Sequence, residues 1–161
     1  MYFQELHCLK SALNQLRTEL MPSLNAELIL LHENAAILGE VELSEGLFSI
    51  IATKLKSETE AMNRLLSIIL IPLIEEIILN PESSPNIQSF AVLRTYHNRM
   101  KEHFAEMREM CNHHIVTQEW SHQKRVSCLS VYHAELAFIK YANFMETTMF
   151  SLLNPMTIQS K

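Results

Sequence analysis

Glycine is nearly absent from this chain: two occur in 161 residues, Gly39 and Gly46. That scarcity removes the raw material for a phosphate-cradling loop, a dinucleotide-binding turn or a row of tight hairpins, all of which need glycine where the backbone turns sharply. The two glycines bracket GEVELSEG, which reads as a loop. Cysteine is sparse as well. Cys8, Cys111 and Cys128 form no CxxC pair and leave an odd thiol, which excludes a disulfide scaffold. With no cleavable signal pattern at the N-terminus, the expectation is a reduced cytoplasmic protein.

Positive charge is also in short supply. Thirteen basic residues face 18 acidic ones, a net charge of −5 with histidine neutral. The densest basic pair is Lys124 and Arg125, too little for the cationic face that nucleic-acid phosphates require, so no nucleic-acid partner is expected. A membrane span is missing too. The longest apolar run, Leu65 to Leu79, has 15 residues with Glu75 and Glu76 inside it, short of the roughly 20 apolar residues that a helix needs to cross a bilayer. It reads instead as a buried helix end, or as a surface for a protein partner or a second copy of the chain.

What the chain does have is hydrocarbon at helical spacing. Hydrophobic residues make up 48% of it, enough for one globular domain over residues 1–154 with a short tail over 155–161. Four segments carry the pattern. In the first, Phe3 to Leu38, Leu6, Leu9, Leu13, Leu16 and Leu20 recur at three and four. Pro22 breaks or kinks it, Ser23 offers a new cap, and Leu24, Leu28, Leu31, Ala35 and Leu38 resume the stripe. The second, Gly46 to Leu79 with Ser44 as a cap candidate, has Ile51, Leu55, Glu58, Met62, Leu65 and Ile69 in line, and Pro72 kinks it without ending it. NPESSP, Asn80 to Pro85, is the clearest turn, with Ser84 and Pro85 set to start the third helix. That helix, to Asn112, presents Leu93, His97, Met100, Phe104, Met107 and Cys111. The fourth follows Thr117 as N-cap and runs to Leu153, with Leu129, Tyr132, Leu136, Ile139, Asn143, Glu146, Phe150 and Leu153 as its expected core face. No segment alternates as a strand does. The expected fold is all-α, an up-down-up-down antiparallel four-helix bundle.

Bundles build their sites from side chains that point inward, so the informative residues are polar ones standing on apolar stripes: Glu58, His97 and Glu146. His97 is either a metal ligand or a core histidine bonded to a tyrosine or carboxylate. Glu146 is a ligand or a rim carboxylate near a helix end, and Glu58 sits in a turn that Lys54 and Glu60 tend to solvate. His7 and His32 flank the leucine stripe of the first helix. His103 lies within reach of Glu106, and His113 and His114 stand at a helix end, where the dipole favours a cation. Glu119 and His122 make a single ExxH spacing, in a first turn that favours surface exposure. Cys111 and His97 share a stripe but lie 14 residues apart, about 21 Å along a helix, so they make no nucleophile–base pair.

Two stretches resemble the hemerythrin-like proteins, and among them the bacterial proteins that repair iron centres. Gly46-Leu47 followed by ILIPLI, Ile69 to Ile74, is similar to the family's second-helix ending. VLRTYHNRMKEHFAEMREM, Val92 to Met110, is similar to its third helix, with His97 on a ligand position, and Glu146 in FMETTMF matches its fourth-helix carboxylate. The resemblance implies a four-helix bundle with a di-iron centre and a role in iron, oxygen or nitric-oxide chemistry. It places His97 and Glu146 on ligand positions and leaves His32 and His7 for the family's first-helix histidines; with Glu58 from the stripe, these five are the candidate ligands. Of the family's paired histidine and carboxylate, the fourth helix keeps Glu146 but has Ala142 for the histidine, and the second helix has Met62 and Leu66 for both. Two readings therefore stand: an iron protein with an incomplete centre, and a metal-free helical module that acts through protein contacts or an apolar pocket.

Overall fold

The structure is a computed structural model that describes residues 2–41, 46–82 and 88–153. All of its elements are helical, and no strand occurs among the described residues. Four rods result. The first joins α1 (Tyr2–Gln15) to α2 (Met21–Val41), and the second joins α3 (Gly46–Leu65) to α4 (Ile71–Leu79). The third is α5 (Gln88–Met110), and the fourth is α6 (His122–Phe144) with its continuation to Leu153. α2 packs on α3 and α6, and α5 packs on α3 and α6, so each rod touches two neighbours around one core. The expected caps at Ser44 and Ser84 lie outside the described residues. Gly39 falls inside α2 and Gly46 opens α3, so both ends of the expected loop GEVELSEG are helical, and its middle lies outside the described residues.

Neither proline ends its helix. A proline has no N–H, and its ring crowds the carbonyl four residues back. Here the turn before each proline widens by one residue. Met21 N–H reaches the Leu16 carbonyl and Ile71 N–H reaches the Leu66 carbonyl, five residues away, so Leu16–Leu20 and Leu66–Leu70 are single π turns. The two sequences match in form: LRTELMP, Leu16 to Pro22, and LSIILIP, Leu66 to Pro72. The expected break at Pro22 and cap at Ser23 are thus replaced by a continuous helix. A third π turn, Met145–Met149, occurs without proline and closes with Phe150 N–H on the Met145 carbonyl.

These turns decide which residues face inward. Apolar side chains that recur every four residues drift by about 40° per step on an α-helix, and a π turn takes up the excess. Met62, Leu66, Leu70 and Ile74 are buried in the second rod, as are Tyr141, Met145, Met149 and Leu153 in the fourth. The expected stripes on the first and third rods are confirmed at Leu24, Leu28, Leu31, Ala35 and Leu38, and from Leu93 to Cys111. On the second rod Thr59 replaces Glu58 in the core, while Ile69 is exposed. The correction on the fourth rod is larger. Leu129, Tyr132, Leu136, Ile139, Asn143 and Glu146 lie outside, and Cys128, Val131, Ala134, Phe138 and Tyr141 lie inside. Only Phe150 and Leu153, beyond the start of the π turn, meet the expected face. One extra residue in that turn brings the two phases back together.

Polar contacts hold the rods in register. Asn34 Nδ2 donates to Ser130 Oγ at 2.6 Å, and the Asn34 carbonyl accepts from Ser127 Oγ at 3.1 Å and Gln123 Nε2 at 3.2 Å. Small Ser127, Ser130 and Ala134 let α6 approach α2 closely. Asn63 donates to Asn25 at 2.7 Å between the first two rods, and Arg17 bridges to Glu75. The run Leu65 to Leu79 divides accordingly: Leu66, Leu70, Ile71, Ile74 and Ile77 are buried, and Ile68, Ile69 and Leu79 are exposed. Among the described residues, no helix is long and apolar enough to cross a membrane.

The π turn makes a prediction about phase. Leu70→Ala is expected to cost about 2–5 kcal/mol and the adjacent Ile69→Ala less than about 1 kcal/mol. Urea unfolding of the two variants checks this, and the reverse order would place the second rod in the wrong rotation.

Candidate functional site

His97 is the one histidine among the buried polar residues of the described chain, 3% exposed. Its stripe on α5 carries it inward between Leu93 and Met100, where an imidazole without a partner would cost several kcal/mol. Tyr141, fully buried on α6, supplies the partner: His97 Nε2 and Tyr141 Oη stand 2.9 Å apart. The two rings meet edge to face at 5.1 Å between centroids, and Phe138 stands edge-on to His97 at 6.2 Å. Phe138 in turn stacks on Phe104 at 5.4 Å. The pair is thus a buried polar contact flanked by Phe138, which Phe104 backs.

Burial sets the chemistry of both groups. Desolvation pushes the His97 imidazole down from its ordinary 6.5 to about 4, against a smaller upward pull from the Glu146 carboxylate. The Tyr141 phenol is pushed up by the same burial, so both groups are neutral near pH 7. A neutral imidazole is a potential ligand or base, but here Nε2 is already engaged by the phenol.

The other four candidates lie apart from it. Glu146 sits in the third π turn, exposed, with its carboxylate on Arg94 at 3.1 and 3.4 Å. Arg94 also covers the Phe150 ring at 4.6 Å. The expectation that Glu146 points into the interior is corrected: the slipped phase of α6 turns it outward. Glu58 is partly exposed and faces Arg99 at 3.7 Å across to α5. His32 is partly buried on α2, and His7 is exposed on α1 beside a surface cleft with Cys8, Ser11, Phe144 and Thr147. No hydrogen bond or ion pair joins any two of the five. Among the described residues, no group of three or more His, Cys, Asp or Glu side chains is placed to hold a metal ion. The residues present therefore do not fit the iron pair that the resemblance implies.

A second cluster forms where α5 ends. Asn112, His113 and His114 all have positive φ, 49°, 52° and 65°, and make one left-handed turn without a glycine. Left-handed backbone costs an L-residue about 1–2 kcal/mol. The turn stops α5 and is tied by His114 N–H on the Cys111 carbonyl and Ile115 N–H on the Asn112 carbonyl. It sets His114 against the Tyr132 ring at 5.3 Å and 3.8 Å from Glu135, which also binds Arg108. Beyond it, α6 starts at Ser121, whose Oγ accepts from Lys124 N–H at 3.1 Å, and not at Thr117. Glu119 precedes the helix, so the ExxH spacing never forms a helical face. His103 does meet Glu106, at 3.9 Å.

Tyr141, the Arg94–Glu146 pair and the left-handed turn escape a reading of the sequence. The signal for Tyr141 was its place at the head of a four-residue recurrence through Met145 and Met149. Compared with models of protein families, with curated proteins and with solved structures, the chain matches none.

Two outcomes follow. His97 is neutral in the folded chain and titrates normally when unfolded, so its contribution to stability is complete above pH 6.5 and is lost as pH falls toward 4. The difference amounts to roughly 3 kcal/mol. Urea unfolding against pH should show this loss in the wild type and not in the double variant His97→Leu/Tyr141→Phe. Each single variant strands a buried partner at about 1–3 kcal/mol, and the double should cost less than their sum. Separately, His113→Gly relieves left-handed strain and is expected to raise stability by about 0.5–1 kcal/mol, read by the same method.

Proposed function

We propose that this chain is a metal-free helical binding module built on a hemerythrin-like, up-down-up-down antiparallel bundle. The bundle topology is supported by the cross-rod pairs. Arg17 meets Glu75 while Asn25 meets Asn63, and Arg94 meets Glu146 while Arg108 meets Glu135, so advancing along one rod retreats along the next. The observation that carries the function is the buried His97–Tyr141 contact, flanked by Phe138 with Phe104 behind it. It engages Nε2, one of the two imidazole nitrogens that can bind a metal, and bulky apolar side chains pack around it.

With its interior given to packing, the module acts through its outer surface. Candidate contacts are the exposed Ile68, Ile69 and Leu79 of the Leu65 to Leu79 run, and the exposed face of α6, either toward a protein partner or toward a second copy.

Elemental analysis of untagged protein, with visible spectra before and after anaerobic addition of ferrous iron, tests this. The expected result is no stoichiometric iron and no oxo-bridge absorption. Two irons per chain, lost on His97→Leu, would replace the module with an iron protein that handles oxygen or nitric oxide.

A further inference from the structure

The apolar residues that the core left outside on α6 are not scattered. Leu129, Tyr132, Leu136 and Ile139 are 55%, 43%, 38% and 43% exposed. They recur at three, four and three, the spacing of a coiled-coil seam. At 100° per residue they lie roughly 150° around the helix from the buried face. α6 is thus apolar on two faces, and the core covers only one.

Two hollows open along this seam. One, of about 270 Å³, is walled by Leu129 and Tyr132 with Val116, Trp120, His114 and Arg125. The other, of about 220 Å³, is walled by Ile139 and Phe104 with Lys101, Arg108 and Glu135. Leu129 and Ile139 are ten residues apart, about 15 Å along the helix axis. That is the interval between side chains three turns apart on a second helix. The hollows hold the volume of about nine and seven waters, taking 30 Å³ for each, which is the scale of one large side chain apiece.

Charge distinguishes the occupant. Although the whole chain is acidic, the charge beside this seam is cationic: Arg125, Lys140 and Lys101, with His133 on the flank. Two carboxylates on α6 itself are held by arginines of α5, Glu135 by Arg108 and Glu146 by Arg94. A second copy of α6 would bring like charge to like. The geometry points to an acidic amphipathic helix of a protein partner, laid along α6 with two bulky apolar side chains in the hollows and carboxylates facing Arg125 and Lys140.

This assignment rests on the binding-module reading, and the two fail separately, since iron uptake bears on the interior and peptide binding on this face. The test uses the full chain and two synthetic helical peptides with the same leucine stripe, one flanked by glutamates and one by lysines. Fluorescence anisotropy should show the glutamate peptide binding about tenfold or more tightly than the lysine peptide, a difference that shrinks at high salt. Leu129→Asp should weaken it about tenfold with unchanged helix content by circular dichroism, and Arg125→Glu/Lys140→Glu should invert the preference. Equal affinity for the two peptides, no binding of either, or binding that survives Leu129→Asp would overturn the assignment. So would a concentration-dependent dimer in sedimentation that Leu129→Asp dissolves, which would give the face to a second copy.

Discussion

A single hydrogen bond between two rods, from His97 on α5 to Tyr141 on α6, governs how the interior of this bundle is used. An imidazole placed among leucine, methionine and phenylalanine must find a partner, because hydrocarbon offers it none. Tyr141 meets that need with a neutral group, and Phe138 packs edge-on against the imidazole. The contact also fixes the rotation of α6. With Tyr141 inward, Phe138 and Met145 are inward too, and Glu146 must face solvent, where Arg94 receives it. The polar interior and the exposed apolar seam are therefore two results of one helix rotation.

Much of the fold was legible in the sequence. α2 in the first rod and α5 in the third follow ordinary α-helical spacing, and their buried faces match the stripe from Leu24 to Leu38 and the run from Leu93 to Cys111. His97 stood out because it interrupts a hydrophobic stripe, and the alternative of a tyrosine partner was visible as chemistry, though not which tyrosine. The rest was hidden by π turns. A periodicity of 3.6 assigns Leu65, Ile69 and the series from Leu129 to Glu146 to the core, whereas the turns at Leu66–Leu70 and Met145–Met149 each absorb an extra residue. α6 misleads further because its outer face is as apolar as its inner one. Spacing alone does not say which of two apolar faces is covered.

The proline turns show how local chemistry serves the packing. Pro22 and Pro72 lack the hydrogen that an α-helix would use, and the widened turn before each one accommodates that lack without interrupting the rod. Glycine is missing where it would be most expected, in the left-handed turn at Asn112–His114, and the strain there persists because α5 must end and its successor must return over Tyr132. That turn forms one wall of the larger hollow on the α6 seam, so left-handed backbone borders exposed apolar surface there.

The most direct measurement of the central claim is side-chain 15N NMR of His97, followed through acid titration and through addition of ferrous or zinc ions. The account predicts a neutral ring that keeps its tautomer down to about pH 4 and ignores both metals, with its resonances moved by Tyr141→Phe. A ring that titrates near 6.5, or whose nitrogen shifts move on metal addition, would contradict it.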